Sequence, residues 1–273
     1  MTGTRRPIEG VDLDHVAVAV EQWADAWPRF VGLLGGRWMS GGKGPGFAPC
    51  QLGYANGMRV EVLEPYLVER NDFLRRFLDR GGAGPHHMTF KLKDLAGGLA
   101  AAEAAGYRPI NVDMSDPLWQ EAFLHPKESC GVVIQLAQPV DGYWETPAPE
   151  GFPASDAPMA SLVRIVHAVA DLDAGLALFA GLLGGRETER GADESARWVE
   201  LAWPGPGRVR LASPASPNSP LAAWLGERSG RVHHIAFAGV DGAGLDGGVE
   251  LADGSYELAP DPATGTRLLL RHS

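Results

Sequence analysis

Cysteine is scarce: Cys50 and Cys130 are the only two in 273 residues. That number excludes a disulfide framework and fits a reducing, cytoplasmic setting. Long apolar runs are also missing. No stretch approaches the roughly 20 residues of a spanning helix, so no membrane partner is expected. Basic residues are in deficit, 24 against 34 acidic ones, for a formal net charge of −10. A surface of that sign repels phosphate backbones and anionic lipids, which argues against nucleic acid as a partner. The opening Met-Thr-Gly-Thr-Arg-Arg-Pro has no apolar core behind its arginines, so no signal peptide is expected. What remains is core-forming material, with 45% hydrophobic residues, enough for one large domain or two ordinary ones.

The chain repeats itself. Phe30-Val-Gly-Leu-Leu-Gly-Gly returns as Phe179-Ala-Gly-Leu-Leu-Gly-Gly, and Arg59-Val-Glu-Val as Arg208-Val-Arg-Leu, both at an offset of 149. Pro85-His-His-Met-Thr-Phe returns as Val232-His-His-Ile-Ala-Phe at an offset of 147. An internal duplication follows. Between the copies, Pro139 to Ala160 is proline-rich and without periodicity, which predicts a linker.

A shorter repeat lies inside the first half. Leu13-Asp-His-Val-Ala-Val-Ala-Val and Gly84-Pro-His-His-Met-Thr-Phe-Lys-Leu each open an alternating apolar run with a histidine, and His15 and His87 stand 72 residues apart. Alternation of this kind is the period of a half-buried strand. Two inward histidines on equivalent strands are a typical beginning for a metal site. After Val20, Trp23, Trp27, Phe30, Val31 and Leu34 form a helical stripe over 21–34 closed by Gly35-Gly36. Met58 to Leu63 reads as a strand, and a short helix capped by Asn71 carries Phe73, Leu74, Phe77 and Leu78 to a stop at Gly81. A strand at His87, a helix from about Leu95 to Ala105, and strands near 121–124 and 132–137 complete the half. Four strand-helix-strand units paired into two domains account for the whole.

These residues resemble the vicinal oxygen chelate superfamily, which includes the glyoxalases. The likeness rests on Leu13-Asp-His-Val-Ala-Val-Ala-Val, Val60-Glu-Val-Leu-Glu-Pro, the Phe73 to Gly82 helix running into His86-His87-Met-Thr-Phe, and Phe123-Leu-His-Pro-Lys-Glu-Ser-Cys-Gly-Val-Val-Ile-Gln-Leu. Within the superfamily, residues 8–140 look most like the methylmalonyl-CoA epimerases. The resemblance implies an α+β fold of tandem glyoxalase-like domains, four βαβββ units with curled mixed sheets. The expected layout is a tail over 1–7, a metal-binding domain over 8–140, the linker over 141–160 and a degenerate domain over 161–273.

Carried over by position, the family's metal ligands fall on His15, Glu61, His87 and Gln135. The alternation agrees, since Val60 and Val62 flank Glu61 while Ile134 and Leu136 flank Gln135. The family usually has glutamate at the Gln135 position and can have glutamine at that of Glu61, so amide and carboxylate are exchanged here at constant ligand charge. Two imidazoles, a carboxylate and an amide oxygen suit a divalent ion such as Mn, Co, Ni, Fe or Zn. His86 would then point away and serve the structure, and His125 lies in the turn His125-Pro-Lys. At the matching positions of the second half stand Arg164, Arg210, His234 and either Leu270 or Arg271. A guanidinium cannot ligate a cation. That half is therefore structural or an anion pocket, and His167, which aligns with Val18, is incidental.

A metal with open positions can chelate two oxygens and stabilise an enolate as an α-proton leaves. The region where an epimerase base is expected, Trp38 to Met58, contains no Asp or Glu; it offers Lys43, Cys50, Gln51 and Tyr54. Glu61 can act as ligand and base together, as the metal-bound glutamate of glyoxalases does, with Glu121 and Asp116 as weaker candidates. The expected function is a metal-dependent isomerase or lyase, epimerase-like, acting on a small molecule, a CoA thioester among the candidates, as a monomer or homodimer. The alternatives are a ring-cleaving extradiol-type dioxygenase and a non-catalytic small-molecule binding (resistance) protein.

Overall fold

The computed structural model describes residues 7–140 and 145–272. Most of the expected tail (residues 1–6) and the start of the expected linker (residues 141–144) lie outside the described residues. The first half runs β1 (Asp12–Ala19), α1 (Trp23–Trp27) continued by a π-helical turn (Pro28–Leu33), β2 (Arg37–Gly41), β3 (Gly46–Gly53) and β4 (Arg59–Tyr66). It continues through α2 (Phe73–Gly81), β5 (Gly84–Lys91), α3 (Leu95–Ala104), β6 (Pro109–Asp116), β7 (Trp119–Leu124) and β8 (Val133–Pro139). The second half repeats the order: β9 (Ser161–Val169), α4 (Leu172–Leu176) with its own π-helical turn (Ala177–Leu182), β10 (Arg186–Ala192), β11 (Ala196–Ala202) and β12 (Arg208–Pro214). Then come α5 (Pro220–Leu225), β13 (Gly230–Ala238), β14 (Gly248–Glu250), β15 (Tyr256–Leu258) and β16 (Leu268–Arg271).

Each half builds one eight-stranded mixed sheet. The orders are β2-β3-β4-β1-β5-β8-β7-β6 and β10-β11-β12-β9-β13-β16-β15-β14, the same topology twice. Among the described residues no helix is long and apolar enough to cross a membrane. Cys50 and Cys130 are both free.

Three local departures from the sequence expectation have physical reasons. The helix expected over 21–34 is an α-helix only to Trp27, after which the turn widens: Leu34 N–H donates to the Arg29 carbonyl, five residues back. Leu183 repeats that bond to Leu178 without a proline nearby, so the shared Gly-Leu-Leu-Gly-Gly ending, rather than Pro28, sets the widening. The second helix stops one residue late, at Gly82, whose φ of +72° is the left-handed region that favours glycine. The fourth unit has no crossover helix. Residues 239–247 are turns with glycine at 239, 242, 244 and 247, a composition that disfavours a helix.

Compactness divides the chain differently from its sheets. One unit gathers the described residues among 15–86, 144–163 and 234–273; the other gathers those among 1–14, 87–143 and 164–233. In the first unit, Tyr54 packs edge-to-face on Phe237 at 5.0 Å, and Arg29 donates to the carbonyls of Thr266 and Ala259 while its guanidinium meets Asp261. The described linker residues, free of helix and strand, belong to this unit and are tied down. Phe152 sits between Trp27 and Trp38 at 5.2 and 5.5 Å, and Arg37 donates to the Ala157 carbonyl. Gly35, at φ +65°, is required there, because a Cβ would collide with the Pro158 carbonyl.

In the other unit, Phe90 contacts Trp203 and Phe179, and Ile8 N–H donates to the Leu182 carbonyl. His167 is fully buried there, with Nε2 2.9 Å from the Cys130 carbonyl, a contact that assigns the proton to Nε2. Burial drives its pKa down to about 4, against a smaller opposing pull from that carbonyl. The folded chain therefore holds His167 neutral, whereas the unfolded chain takes up a proton below about pH 6.5. Stability should fall as pH drops from about 6.5 to 4, by up to roughly 3 kcal/mol from this group, and be insensitive to it at higher pH. Urea unfolding of the wild type and of His167→Gln across that window should show the smaller pH dependence in the variant. Equal slopes would show that His167 is not held neutral.

Candidate metal centre

Strand register places the polar side chains. In the parallel pair β1–β4, His15 lies beside Arg59 and Ala17 beside Glu61; antiparallel β3 sets Gln51 against Glu61. Side chains in register leave the same face of a sheet, so His15, Arg59, Gln51 and Glu61 share one. Val16, Val18, Val60 and Val62 take the other face into the core. On the polar side α2 covers the sheet further along, with Leu74 and Leu78 on Ala17, Ala19 and Leu63.

His15 is 1% exposed and Glu61 8% exposed. His15 Nε2 stands 3.6 Å from Glu61 Oε2, and Gln51 Nε2 donates to Glu61 Oε1 at 3.3 Å. Arg59 Nη1 donates to Gln51 Oε1 at 3.4 Å. A guanidinium only donates and a carboxylate only accepts, so the Gln51 amide is oriented unambiguously between them.

On β5 and β8 the register pairs His87 with Val133 and Thr89 with Gln135. Thr89 Oγ1 donates to Gln135 Oε1, and Gln135 Nε2 donates to Glu121 Oε2 at 2.7 Å. The Trp119 indole N–H donates to the same Glu121 oxygen at 2.6 Å. Both His87 and Gln135 are buried.

One ligand atom from each of His15, Glu61 and His87 falls within 4.8 Å of the others, and all three residues are buried. Among the described residues this is the one such group of histidine, cysteine or carboxylate side chains. Donors about 2.1 Å from a shared ion would stand roughly 3–4 Å apart. The 3.6 Å between His15 and Glu61 is of that size and longer than a hydrogen bond. The donor set and spacing fit a divalent ion.

Other residues considered from the sequence lie elsewhere in function. His86 packs on Phe77 and Phe73 of α2 at 4.8 and 5.8 Å, and burial lowers its pKa to about 4 despite the nearby Glu61 charge. His125 is an exposed turn residue whose Nδ1 accepts from Lys127 N–H. Asp116 caps the turn at Leu118 N–H, Lys43 lies over the Tyr66 ring, and Tyr54 donates to the Phe30 carbonyl in the core. Cys50 is buried, and desolvation pushes its thiol pKa up. Of the stretch between Trp38 and Met58, Gln51 reaches the cluster by a hydrogen bond to Glu61. Its strand, Gly-Phe-Ala-Pro-Cys-Gln-Leu-Gly, hides behind glycine and proline, and no periodicity signals it. Thr89 was readable, since it follows His87 by two along a strand.

The second sheet replaces this chemistry by its opposite. Register keeps Arg210 as the counterpart of Glu61 and sets Glu200 beside it, where the first sheet has Gln51. The Arg164 guanidinium meets the Glu200 carboxylate; Arg210 Nη2 reaches Glu200 at 3.1 Å and Glu189 at 3.2 Å, and its guanidinium lies 3.7 Å over Trp198. Fixed cations thus stand where the first sheet gathers donors. The counterpart of Gln135 is corrected by one or two residues. β13 pairs Ala236, which matches Thr89, with Leu269, not with Leu270 or Arg271.

Residues 14–123 match the model of the Glyoxalase/Bleomycin resistance protein/Dioxygenase superfamily. No curated protein matches the chain. Among solved structures, a mutant 4-hydroxymandelate synthase from Streptomyces coelicolor shares 14% identity over 83% of this chain and 70% of its own, with a TM-score of 0.63. A hypothetical protein from Bacillus halodurans C-125 shares 24% identity over 52% of this chain and 100% of its own, with a TM-score of 0.44. Methylmalonyl-CoA epimerase from Mycobacterium tuberculosis shares 22% over 52% of this chain and 95% of its own, with a TM-score of 0.45. The first of these likenesses is one of fold and extends over most of both halves.

The ion triad of the second sheet yields a stability prediction. Glu200→Ala removes the carboxylate shared by Arg164 and Arg210, leaving two mostly buried guanidinium groups side by side. Breaking such a pair from one end costs about 3 kcal/mol. Urea unfolding should show a loss of that order, whereas Glu189→Ala, at the exposed rim, should cost less than about 1 kcal/mol.

Proposed function

With residues 14–123 a domain of the glyoxalase/bleomycin resistance protein/dioxygenase superfamily, we propose that this chain is a metal-dependent isomerase or lyase, epimerase-like in reaction type. Its ion is divalent (Mn, Co, Ni, Fe or Zn), with His15, Glu61, His87 and Gln135 as ligands. The observation that carries this reading is the convergence of the His15, Glu61 and His87 ligand atoms within 4.8 Å in a buried setting. When bound, the ion would supply Lewis-acid polarisation of a substrate carbonyl.

The chain's own residues then handle the proton. Glu61 takes it from the carbon next to the carbonyl; the C–H electron pair becomes the C=C bond, and the carbonyl π pair moves to the oxygen. Return of a proton to that carbon completes the isomerisation. Gln51, steadied by Arg59, holds Glu61 Oε1 by its N–H and leaves Oε2 facing His15. The same hydrogen bond limits rotation of the carboxylate, so the base is oriented before substrate arrives. The substrate is a small molecule with two adjacent oxygens, a CoA thioester among the candidates. The cytoplasm is the proposed location, from the two free cysteines.

A second reading is favoured by the donor set itself. Two histidines and one carboxylate are the facial triad of non-haem Fe(II) oxygenases. Against it, the last strand of the ring-cleaving enzymes has glutamate where this chain has Gln135.

Two measurements test the proposal. Elemental analysis after reconstitution should find one divalent transition-metal ion per chain, and His87→Ala should abolish its binding while the circular dichroism stays the same. No bound metal in the reconstituted wild type would sink the reading. In D₂O, a panel of 2-substituted thioesters and α-hydroxycarbonyls should include a compound that gains deuterium at the α-carbon, and Glu61→Gln should slow this by about 10²-fold. Oxygen consumption with Fe(II) in place of exchange would favour the oxygenase, and tight binding without either would make the protein a binding protein.

A further inference from the structure

Gln135 is the uncharged member of the proposed ligand set, and its amide is held at both ends. Thr89 Oγ1–H donates to Oε1, while Nε2 donates 2.7 Å to Glu121 Oε2. Glu121 Oε2 also receives the Trp119 indole N–H at 2.6 Å. Register accounts for the meeting: Thr89 and Phe123 flank Gln135, and Glu121 sits diagonally across on β7, beside Ala137. An indole can only donate and a carboxylate can only accept. The amide therefore has one orientation, nitrogen towards Glu121 and oxygen on the Thr89 side. Turned over, it would set its oxygen against a carboxylate and its N–H₂ where a ligand atom is needed.

We propose that Glu121 is a positioning residue for the metal centre. It orients Gln135 so that Oε1 is the atom available to the ion. Through the charge-assisted N–H···O hydrogen bond it also draws electron density towards that oxygen. Amide and carboxylate together thus bring one negative charge to the β7–β8 pair, although the residue offered to the ion is neutral. Trp119 keeps the Glu121 oxygen in place. Partners of this outer kind ordinarily govern metal affinity by about 10- to 100-fold. The inference rests on the metal reading above and adds Glu121, Trp119 and Thr89 to it.

The test is Co²⁺ titration of the full chain after chelator treatment, followed by calorimetry and by the visible ligand-field absorption. Wild type should bind one Co²⁺. Glu121→Leu, which removes the acceptor, should weaken binding by about 10-fold or more and alter the ligand-field bands, with the circular dichroism unchanged. Glu121→Gln, which keeps an acceptor and loses the charge, should fall between the two. In a Gln135→Leu background, Glu121→Leu should cause no further loss, because its effect passes through Gln135. Wild-type affinity and spectrum in Glu121→Leu would overturn the inference while leaving the metal reading intact. So would an equal loss with and without Gln135. Failure of the wild type to bind Co²⁺ would remove both.

Discussion

A buried carboxylate has to be compensated, and Glu61 shows how this chain meets that constraint. A carboxylate taken out of water costs several kcal/mol unless hydrogen bonds or opposite charge replace the solvent. Around Glu61 that replacement includes the Gln51 N–H and the His15 ring, with His87 close by. The second sheet meets the same constraint with guanidinium groups. There the polarity is reversed, with Glu200 in the Gln51 position between Arg164 and Arg210. One backbone thus supports two electrostatic solutions, and among the described residues the first gathers the His15, Glu61 and His87 donor atoms.

The second half contributes to the packing of the first. Phe237 closes on Tyr54, and Phe179 and Trp203 close on Phe90, so aromatic side chains from the second half complete cores begun by the first. The different polar residues of the second sheet leave those cores untouched, because the polar cluster and the core residues point to opposite faces of the same strands. The docked linker adds to this economy. Phe152 between two tryptophans and Gly35 beneath Pro158 tie residues 145–160 to the surface of the first half.

Much of this was legible in sequence, for a definite reason. Alternation along a strand is short-range, so His15, Glu61, His87 and Gln135 could each be assigned a face from their immediate neighbours. The Phe-x-Gly-Leu-Leu-Gly-Gly repeats likewise revealed the duplication and located both helix ends. The long-range relations were not legible. Gln51 sits in a strand broken up by glycine and proline, and its bond to Glu61 depends on β3–β4 register. Glu121 reads in the sequence as a weaker candidate base, and only the β7–β8 register brings it to Gln135 and Trp119. Leu269 was missed as the counterpart of Gln135 because chain length between β13 and β16 differs from that between β5 and β8.

The sequence by itself determined the two-fold repeat, the residues whose alternation sends them to a common face, and the reversal of charge in the second copy. These follow from local periodicity and from residue type, which need no knowledge of what lies across the sheet. Only the tertiary structure decided which polar groups meet, how the Gln51 and Gln135 amides are oriented, and which sequence segments share a core. Those depend on strand register and on packing between residues far apart in the chain, where a shift of one residue exchanges one face for the other.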